Sequence, residues 1–256
     1  MLLALDIGNT NITIGAFAGE ELRARWRIST EANRMADEYA VTLHNLFQLE
    51  GIAPTDFHSA VMASVVPSLT PVIDDVCRRY FQTTPITVGT GTKTGLRILY
   101  DTPREVGADR VVDAVAAIKL YGPPPLIVVD FGTATVFDAI NAEGDYLGGA
   151  MAPGIGIAAQ ALFEKASLLW TVKLERPRTA IGKNTVNALQ SGIMLGYVGL
   201  VEGIVSRFKE ELGGNPTVVA TGGLAEVIAS ETKMIDHIDQ DLTLVGLRLI
   251  YEMNRS

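Results

Sequence analysis

Three aspartates stand where phosphate chemistry could use them. Asp6 follows the apolar run Leu2–Leu5 and precedes Gly8-Asn9-Thr10-Asn11, after which Ile12, Ile14 and Ala16 alternate with Thr13 and Gly15. That pattern reads as a buried strand, a tight polar turn and a returning strand. The amides of such a turn, beside Asn9 and Thr10, can wrap a phosphate while a carboxylate at the strand end faces a metal ion. An ordinary hairpin with an Asx turn has the same pattern. Gly8 is expected to supply backbone angles closed to other residues. Asp130 stands in Leu126-Ile127-Val128-Val129-Asp130-Phe131-Gly132, which has the form of Leu2-Leu3-Ala4-Leu5-Asp6-Ile7-Gly8, 124 positions on in a chain of 256. Two such hairpins imply a duplicated domain, with halves at 1–114 and 115–256 and both turns facing one cleft. Asp109 lies in Gly107-Ala108-Asp109-Arg110, beside an arginine whose planar fork suits a substrate carboxylate and could equally pair with Asp113.

These residues need elements to hold them. Leu22–Ile28 alternates as a half-buried strand, and 37–49 carries a helical stripe of Val41, Leu43, Leu46, Phe47 and Leu49. Ala60–Val66 and Ile86–Val88 read as short strands. Between them Thr70 is expected to cap a helix with Pro71 at its first position. Thr102, Pro103 and Glu105 read as a capping box opening a helix to Leu120. Ala108, Val111, Val112, Val115 and Ala116 form its inner face, with Asp109, Arg110 and Asp113 on the far side, where charges are ordinarily solvated. Gly107 would then lie inside the helix at a cost of about 1 kcal/mol, which points to close approach of something there. Asp145–Met151 is a third strand of the second half, and 152–156 leads into a helix through Ala166. Asn184–Leu212 is a long helix with Gly192, Gly196, Gly199 and Gly203 on one face. Such a stripe is more often internal packing than an oligomer contact. Thr221-Gly222-Gly223, after the strand 217–220, could receive a nucleotide on its backbone. Leu242–Met253 is a closing amphipathic helix.

Composition narrows the function classes. Apolar content of 48% with 20% charge belongs to an ordered globular chain. The net charge is −8, and each half carries −4, with 14 acidic and 10 basic residues in 1–114 and 15 and 11 after it. No basic patch stands out, so nucleic acid is not the expected partner. An acidic chain that binds an anion must use turns, helix ends and metal ions. Cys77 is the single cysteine, on an apolar helix face, so no intrachain disulfide forms and a reducing compartment is expected. His44, His58 and His237 lack ligand spacing. The N-terminus lacks signal-peptide features, and the apolar run Ile193–Val205 contains Glu202 and is too short to span a bilayer, so a soluble, cytoplasmic protein with no membrane partner is expected.

Taken together, the segments DIGNTNITIG at Asp6–Gly15, YDTP at Tyr100–Pro103, GADR at Gly107–Arg110, DFGTATVFDAI at Asp130–Ile140, GGAMAPGI at Gly148–Ile155, IGKNTVNALQSG at Ile181–Gly192 and TGG at Thr221–Gly223 resemble the bacterial type III pantothenate kinases. These belong to the acetate kinase, sugar kinase, heat-shock and actin superfamily. Aspartate-glycine hairpins run through that superfamily, whereas GADR and KNT…QSG are far more specific to the type III enzymes. Val136 stands where some members carry a second threonine. The resemblance implies an α/β fold of two ribonuclease-H-like, actin-like domains with mixed five-stranded sheets flanked by helices. It implies a homodimer, with ATP between the halves and pantothenate phosphorylated on its terminal hydroxyl, the first step of coenzyme A synthesis. By position it makes Asp6, Ile7, Gly8, Asn9, Thr10, Asn11, Ile12 and Thr13 the phosphate loop, with Thr133 a further ATP contact. It makes Asp109 the catalytic base, and Tyr100, Gly107, Ala108, Asp109, Arg110 and Thr185 the pantothenate contacts. Asp130 matches a ligand of K⁺ or NH₄⁺, and Asp6 is expected to hold Mg²⁺ through water. The chain has no Walker lysine motif, so hairpin amides and cations must neutralise the phosphates. Other readings are a different small-molecule kinase or phosphatase of the superfamily, or a nucleotide-binding regulator without catalysis.

Overall fold

The computed structural model describes residues 1–165 and 172–255. Ten strands are β1 (Leu2–Ile7), β2 (Asn11–Ala18), β3 (Glu21–Ser29), β4 (Ser59–Ser64), β5 (Pro85–Thr87), β6 (Leu126–Phe131), β7 (Ala134–Ile140), β8 (Tyr146–Pro153), β9 (Thr217–Thr221) and β10 (His237–Ile238). The helices are α1 (Ala36–Leu49), α2 (Thr70–Tyr80), α3 (Ala108–Tyr121), α4 (Ile155–Lys165), α5 (Thr185–Leu212), α6 (Ala225–Ala229) and α7 (Leu242–Asn254). The expected continuation of α4 to Ala166 lies outside the described residues.

The strands form two five-stranded sheets, ordered β3-β2-β1-β4-β5 and β10-β9-β6-β7-β8. Each is an antiparallel meander whose first strand also pairs in parallel with a later strand, which in turn pairs in parallel with a fifth. The repeated aspartate hairpin therefore sits at the same topological place in both sheets. β1 and β6 even share one burial pattern, with Asp6 and Asp130 as the single half-exposed position. A central strand covered on both faces must be apolar throughout, so a carboxylate there belongs at the strand end.

Two compact units result. The first comprises Met1–Leu96, Asp101–Ala116 and Asp241–Ser256, and the second Arg97–Tyr100 and Ala117–Gln240. The sequence division at 114/115 thus placed α7 with the wrong neighbours. Its Leu244, Leu247 and Ile250 bury against Leu2, Ala4, Phe17 and Val61 of the first sheet. Gly15 and Gly246 make this possible: a Cβ on Gly15 would lie 3.0 Å from Leu244, and one on Gly246 would strike Val112 of α3. Amphipathic periodicity shows that a helix has a face to bury, and does not say against which sheet.

The opposite face of the first sheet is covered by α1 and α2. Phe47 lies 5.0, 4.9 and 5.4 Å from the rings of Trp26, Phe57 and Phe81. The buried stripe of α1 is Tyr39, Ala40, Leu43 and Phe47. Val41 and Leu49, expected within it, are 61% and 81% exposed. At about 100° per residue Tyr39 shares the face of Leu43 and Phe47 whereas Val41 falls on the far side, and the Tyr39 hydroxyl donates to the Glu31 carbonyl (3.1 Å). In α2 the residue preceding the helix is Leu69, and Thr70 is the first helical residue, its hydroxyl donating to Ser64 Oγ at 2.9 Å. Cys77 is buried, and burial pushes its thiol up to about 12. Reagents that attack thiolates should leave the folded protein unmodified and label it only after denaturation, as a thiol titration with and without guanidinium would show.

In the second unit α4, α5 and α6 bury Ile155, Met194, Tyr197, Val201, Val205 and Ile228 against Ile127, Val129 and Phe137. The helix containing the Ile193–Val205 run is longer than that run. It extends over 28 residues and is apolar enough, by length and composition, to cross a membrane. Its inner stripe nevertheless packs on a sheet as a core helix does. Gly192, Gly196 and Gly199 are exposed, with nothing within 4 Å of an added Cβ. Among the described residues, these three positions are not packed against another element.

Candidate active site

The Asp6 turn is built from its own backbone and closed by β3. Gly8 N–H donates to the Asn11 carbonyl at 3.0 Å. Thr30 N–H then donates to the Thr10 carbonyl (2.9 Å) and its hydroxyl to the Gly8 carbonyl (2.7 Å). Gly8 has no left-handed backbone, contrary to expectation. It is glycine because a Cβ would lie 3.1 Å from the Asn11 carbonyl oxygen. Asn9, Thr10 and Asn11 are exposed, and Ile7 and Ile12 are buried beneath them. Asp6 lies opposite Thr13, and their side chains share one face of the sheet. Thr30 was missed in the sequence, because nothing local marks a residue 20 positions on as the turn's clamp.

Asp109 belongs to the same unit. Val65, at the end of β4, donates its N–H to the Ile7 carbonyl (3.0 Å), and its Cγ1 lies 3.5 Å from the place of a Gly107 Cβ. The Gly107–Arg110 segment thus abuts the strand ends that carry the Asp6 turn. The capping box read at Thr102–Glu105 is a separate 3₁₀ turn (Pro103–Glu105), and α3 begins at Ala108. Gly107 precedes the helix, accepting from Val111 N–H (3.3 Å), so it carries no interior penalty. The close approach it permits is that of Asp109 itself, whose Oδ1 occupies the space a Cβ would need. That Oδ1 accepts from Arg110 N–H at 2.8 Å. Burial lifts the Asp109 carboxyl above the ordinary carboxylate range, against the lowering effects of that amide and of the Arg110 charge. Asp113, expected on a solvated face, is only 4% exposed, so Asp109 and Asp113 do not form one exposed acidic patch.

In the second unit Asp130 lies opposite Val136, as Asp6 lies opposite Thr13. The second turn is one residue shorter, since Phe131 pairs with Thr135 where Ile7 pairs with Ile12. The Asp130 carboxylate is cradled by two glycines. Its Oδ2 lies 3.2 Å from where a Gly132 Cβ would stand, and its Oδ1 fills the place of a Gly222 Cβ. Gly222 also has φ +92°, so the TGG turn is required first for the approach of Asp130 and the Phe131 backbone. Gly154 N–H closes the turn by donating to the Thr133 carbonyl at 3.0 Å. Thr135 and Tyr197, both buried, hydrogen bond to one another beside this turn. Burial raises the Tyr197 phenol above its ordinary value, and the Asp130 charge adds to the rise. Both residues were read only as strand and helix positions.

Tyr100 is also held in the second unit. Residues 97–99 add to the edge of β8: Tyr146 N–H donates to the Arg97 carbonyl (2.9 Å) and Leu99 N–H to the Tyr146 carbonyl (2.8 Å). Arg97 grips Asp145 with Nε at 2.8 Å and with a second nitrogen. The Tyr100 ring then lies over Gly148, whose Cβ would stand 3.0 Å from Cδ2, and whose φ is +125°. Thr185 is the exposed first residue of α5, where Asn184 caps the helix by accepting from Asn187 N–H (2.9 Å). The QSG residues act within this segment: Ser191 donates to the Ala180 carbonyl (2.6 Å) and Gln190 to the Lys173 carbonyl (3.0 Å). Within the first unit the structure brings together the Asp6–Thr13 turn and Gly107–Arg110. The second holds Asp130 with Thr133, and Tyr100 and Thr185 on their own supports.

Two sheets of this topology, each with a carboxylate hairpin on its central strand, define the actin-like fold of duplicated ribonuclease-H-like domains. Over 99% of this chain and 97% of the other, the fold matches a 2-dehydro-3-deoxygalactonokinase-like protein of Sinorhizobium meliloti (TM-score 0.63, 12% identity). Over 99% of both chains it matches an inorganic polyphosphate/ATP-glucomannokinase of an Arthrobacter strain (TM-score 0.51, 14% identity). Residues 2–207 match the family model of type III pantothenate kinase. A type III pantothenate kinase of a Roseiflexus strain is 56% identical over the whole of both chains. This chain belongs to the type III pantothenate kinase family.

Proposed function

We propose that the protein transfers the γ-phosphoryl group of ATP to the terminal hydroxyl of pantothenate, the first step of coenzyme A synthesis. Family membership over the full length supports the reaction and its two substrates. The observation that carries the chemistry is a half-buried carboxylate, Asp109, held on the helix N-terminus that abuts the Asp6 turn. Phosphoryl transfer is chiefly a matter of aligning the nucleophile and neutralising charge. The Asp6–Thr13 amides, with Thr133, hold phosphate oxygens. The substrate hydroxyl oxygen attacks the γ-phosphorus, its proton passes to an Asp109 carboxylate oxygen, and the bond to the ADP oxygen breaks. Arg110 pairs with the pantothenate carboxylate, while Tyr100, Gly107, Ala108 and Thr185 line the substrate.

Cations complete the charge balance. Among the described residues no three His, Cys, Asp or Glu side chains gather as a metal site. A single carboxylate fits Mg²⁺, which keeps most of its water and takes phosphate oxygens, and Asp6 would hold it through water. The Asp130 oxygens lie against Gly132 and Gly222, whose missing side chains let the carboxylate sit there, and a carboxylate so held suits a monovalent cation, K⁺ or NH₄⁺. Bound cations lower the cost of gathering phosphate charge. The exposed glycine face of α5 supports a homodimer, and the single buried thiol a reducing cytoplasm.

Release of ADP should require pantothenate and Mg²⁺, and should fall at least tenfold when Na⁺ replaces K⁺. Equal rates in the two salts would remove Asp130 as a cation ligand, and ADP release indifferent to pantothenate would remove the reaction. Gly148→Ala should displace the Tyr100 ring and raise KM for pantothenate roughly tenfold, with KM for ATP unchanged. Steady-state kinetics with each substrate varied in turn checks this.

A further inference from the structure

On β3, Arg23, Arg25 and Arg27 alternate with Leu22, Ala24 and Trp26, and all three are exposed. Strand pairing fixes which face they share. Asp6 lies opposite Thr13, and Thr13 lies opposite Arg27, so these three residues form one row across β1, β2 and β3. Directly opposed residues of antiparallel strands point to the same face. The next row inward is Ala4, Gly15 and Arg25. Its face is identified independently, because Gly15 meets Leu244 of α7 and Arg25 reaches Asp241 just before that helix, at 2.7 Å. α7 therefore begins over the inner row, and Asp6, Thr13 and Arg27 make the next row toward the turn.

The three arginines differ in what they pair with. Arg25 is engaged by Asp241, and Arg23 has Glu21 at 3.8 Å. Arg27 has no carboxylate within 4 Å among the described residues, although the chain carries 29 acidic residues against 21 basic. It is thus a cation standing in register with the carboxylate and the threonine of the phosphate turn. Thr30, three residues on in the same strand exit, is the residue that clamps that turn. A planar guanidinium on a long stem matches phosphate oxygens bidentately. A chain without a Walker lysine needs such a donor.

We propose that Arg27 is a further phosphate-binding residue, whose guanidinium contacts the terminal phosphates of ATP from the β3 side of the Asp6–Thr13 turn. The inference rests on that turn holding the nucleotide's phosphates. It is tested by calorimetric titration of the full-length protein and its Arg27→Gln and Arg23→Gln variants with Mg-ATP and with adenosine. Arg27→Gln should weaken ATP about 10- to 100-fold while leaving adenosine binding and Tm as in the parent. Arg23→Gln, one row beyond Arg25, should bind ATP normally. ATP affinity of Arg27→Gln within twofold of the parent overturns the assignment and leaves the kinase reading standing. An equal loss for ATP and adenosine also overturns it, by showing an effect that does not act through phosphate. A parent protein that binds no ATP would overturn the kinase reading and this assignment together.

Discussion

Asp109→Asn should lower kcat by about 10²- to 10⁴-fold, the range that removal of a general base commonly produces. KM for ATP should change little, since the side chain is directed at its own helix start through Arg110 N–H. The isosteric amide keeps an oxygen for that amide to donate to, so the loss cannot be attributed to a broken helix terminus. Stability should move the other way. Burial raises the carboxyl in the folded state, so ionisation is easier in the unfolded chain. The folded protein therefore gives up stability as pH climbs through the raised value, and regains it as pH falls below the ordinary carboxylate range. An asparagine carries no such loss, and the variant should melt at or above the parent's Tm near neutral pH. The same shift predicts the acid limb of the parent's kcat/KM profile, which reports the free enzyme: activity falls with pH through a value above the usual carboxylate range of about 3.9. Coupled ADP-release kinetics across pH, with thermal melts of both proteins, check all three. Near-normal turnover of the asparagine variant would remove Asp109 as the base.

Gly107→Ala should cost nearly as much activity, by a different route. The methyl would occupy the space of Asp109 Oδ1, with Val65 only 3.5 Å away behind it. The far end of a side chain can yield where backbone cannot, so the fold is expected to survive with Tm within a few degrees of the parent. The carboxylate is what must yield, and it leaves the Arg110 amide when it does. A catalytic group displaced by about 1 Å can cost about 10²-fold in rate, so kcat should fall by that order. Adding Asp109→Asn to Gly107→Ala should then cost little more than either change alone, since both act on one atom. If the two losses multiplied, the alanine would be acting elsewhere, on substrate approach for example. The double-mutant cycle in kcat separates the two.

Much of the site's composition was legible because it lies in short segments. The Asp6 and Asp130 hairpins are local: apolar strand, carboxylate, glycine and hydroxyl residues follow one another, and a strand's period of two needs only a few positions to declare itself. Their repetition at half the chain length carried the duplicated architecture, and both sheets do share one topology. The reasons for particular glycines were less legible. Gly107, Gly132 and Gly222 each leave room for a carboxylate two to ninety-odd positions away, and a sequence shows that a side chain is missing without showing what takes its place.

The family, the two carboxylate hairpins and the GADR segment are legible in the chain alone, since these stretches are contiguous and their physics is that of neighbours. That α7 belongs to the first unit, that Thr30 clamps the Asp6 turn and that Gly222 cradles Asp130 emerge from the folded chain alone. It also set Arg27 in register with Asp6 through Thr13. Those are relations between residues far apart in the chain. Strand pairing and helix docking create them, and the apolar periodicity that drives such pairing is the same for many possible partners.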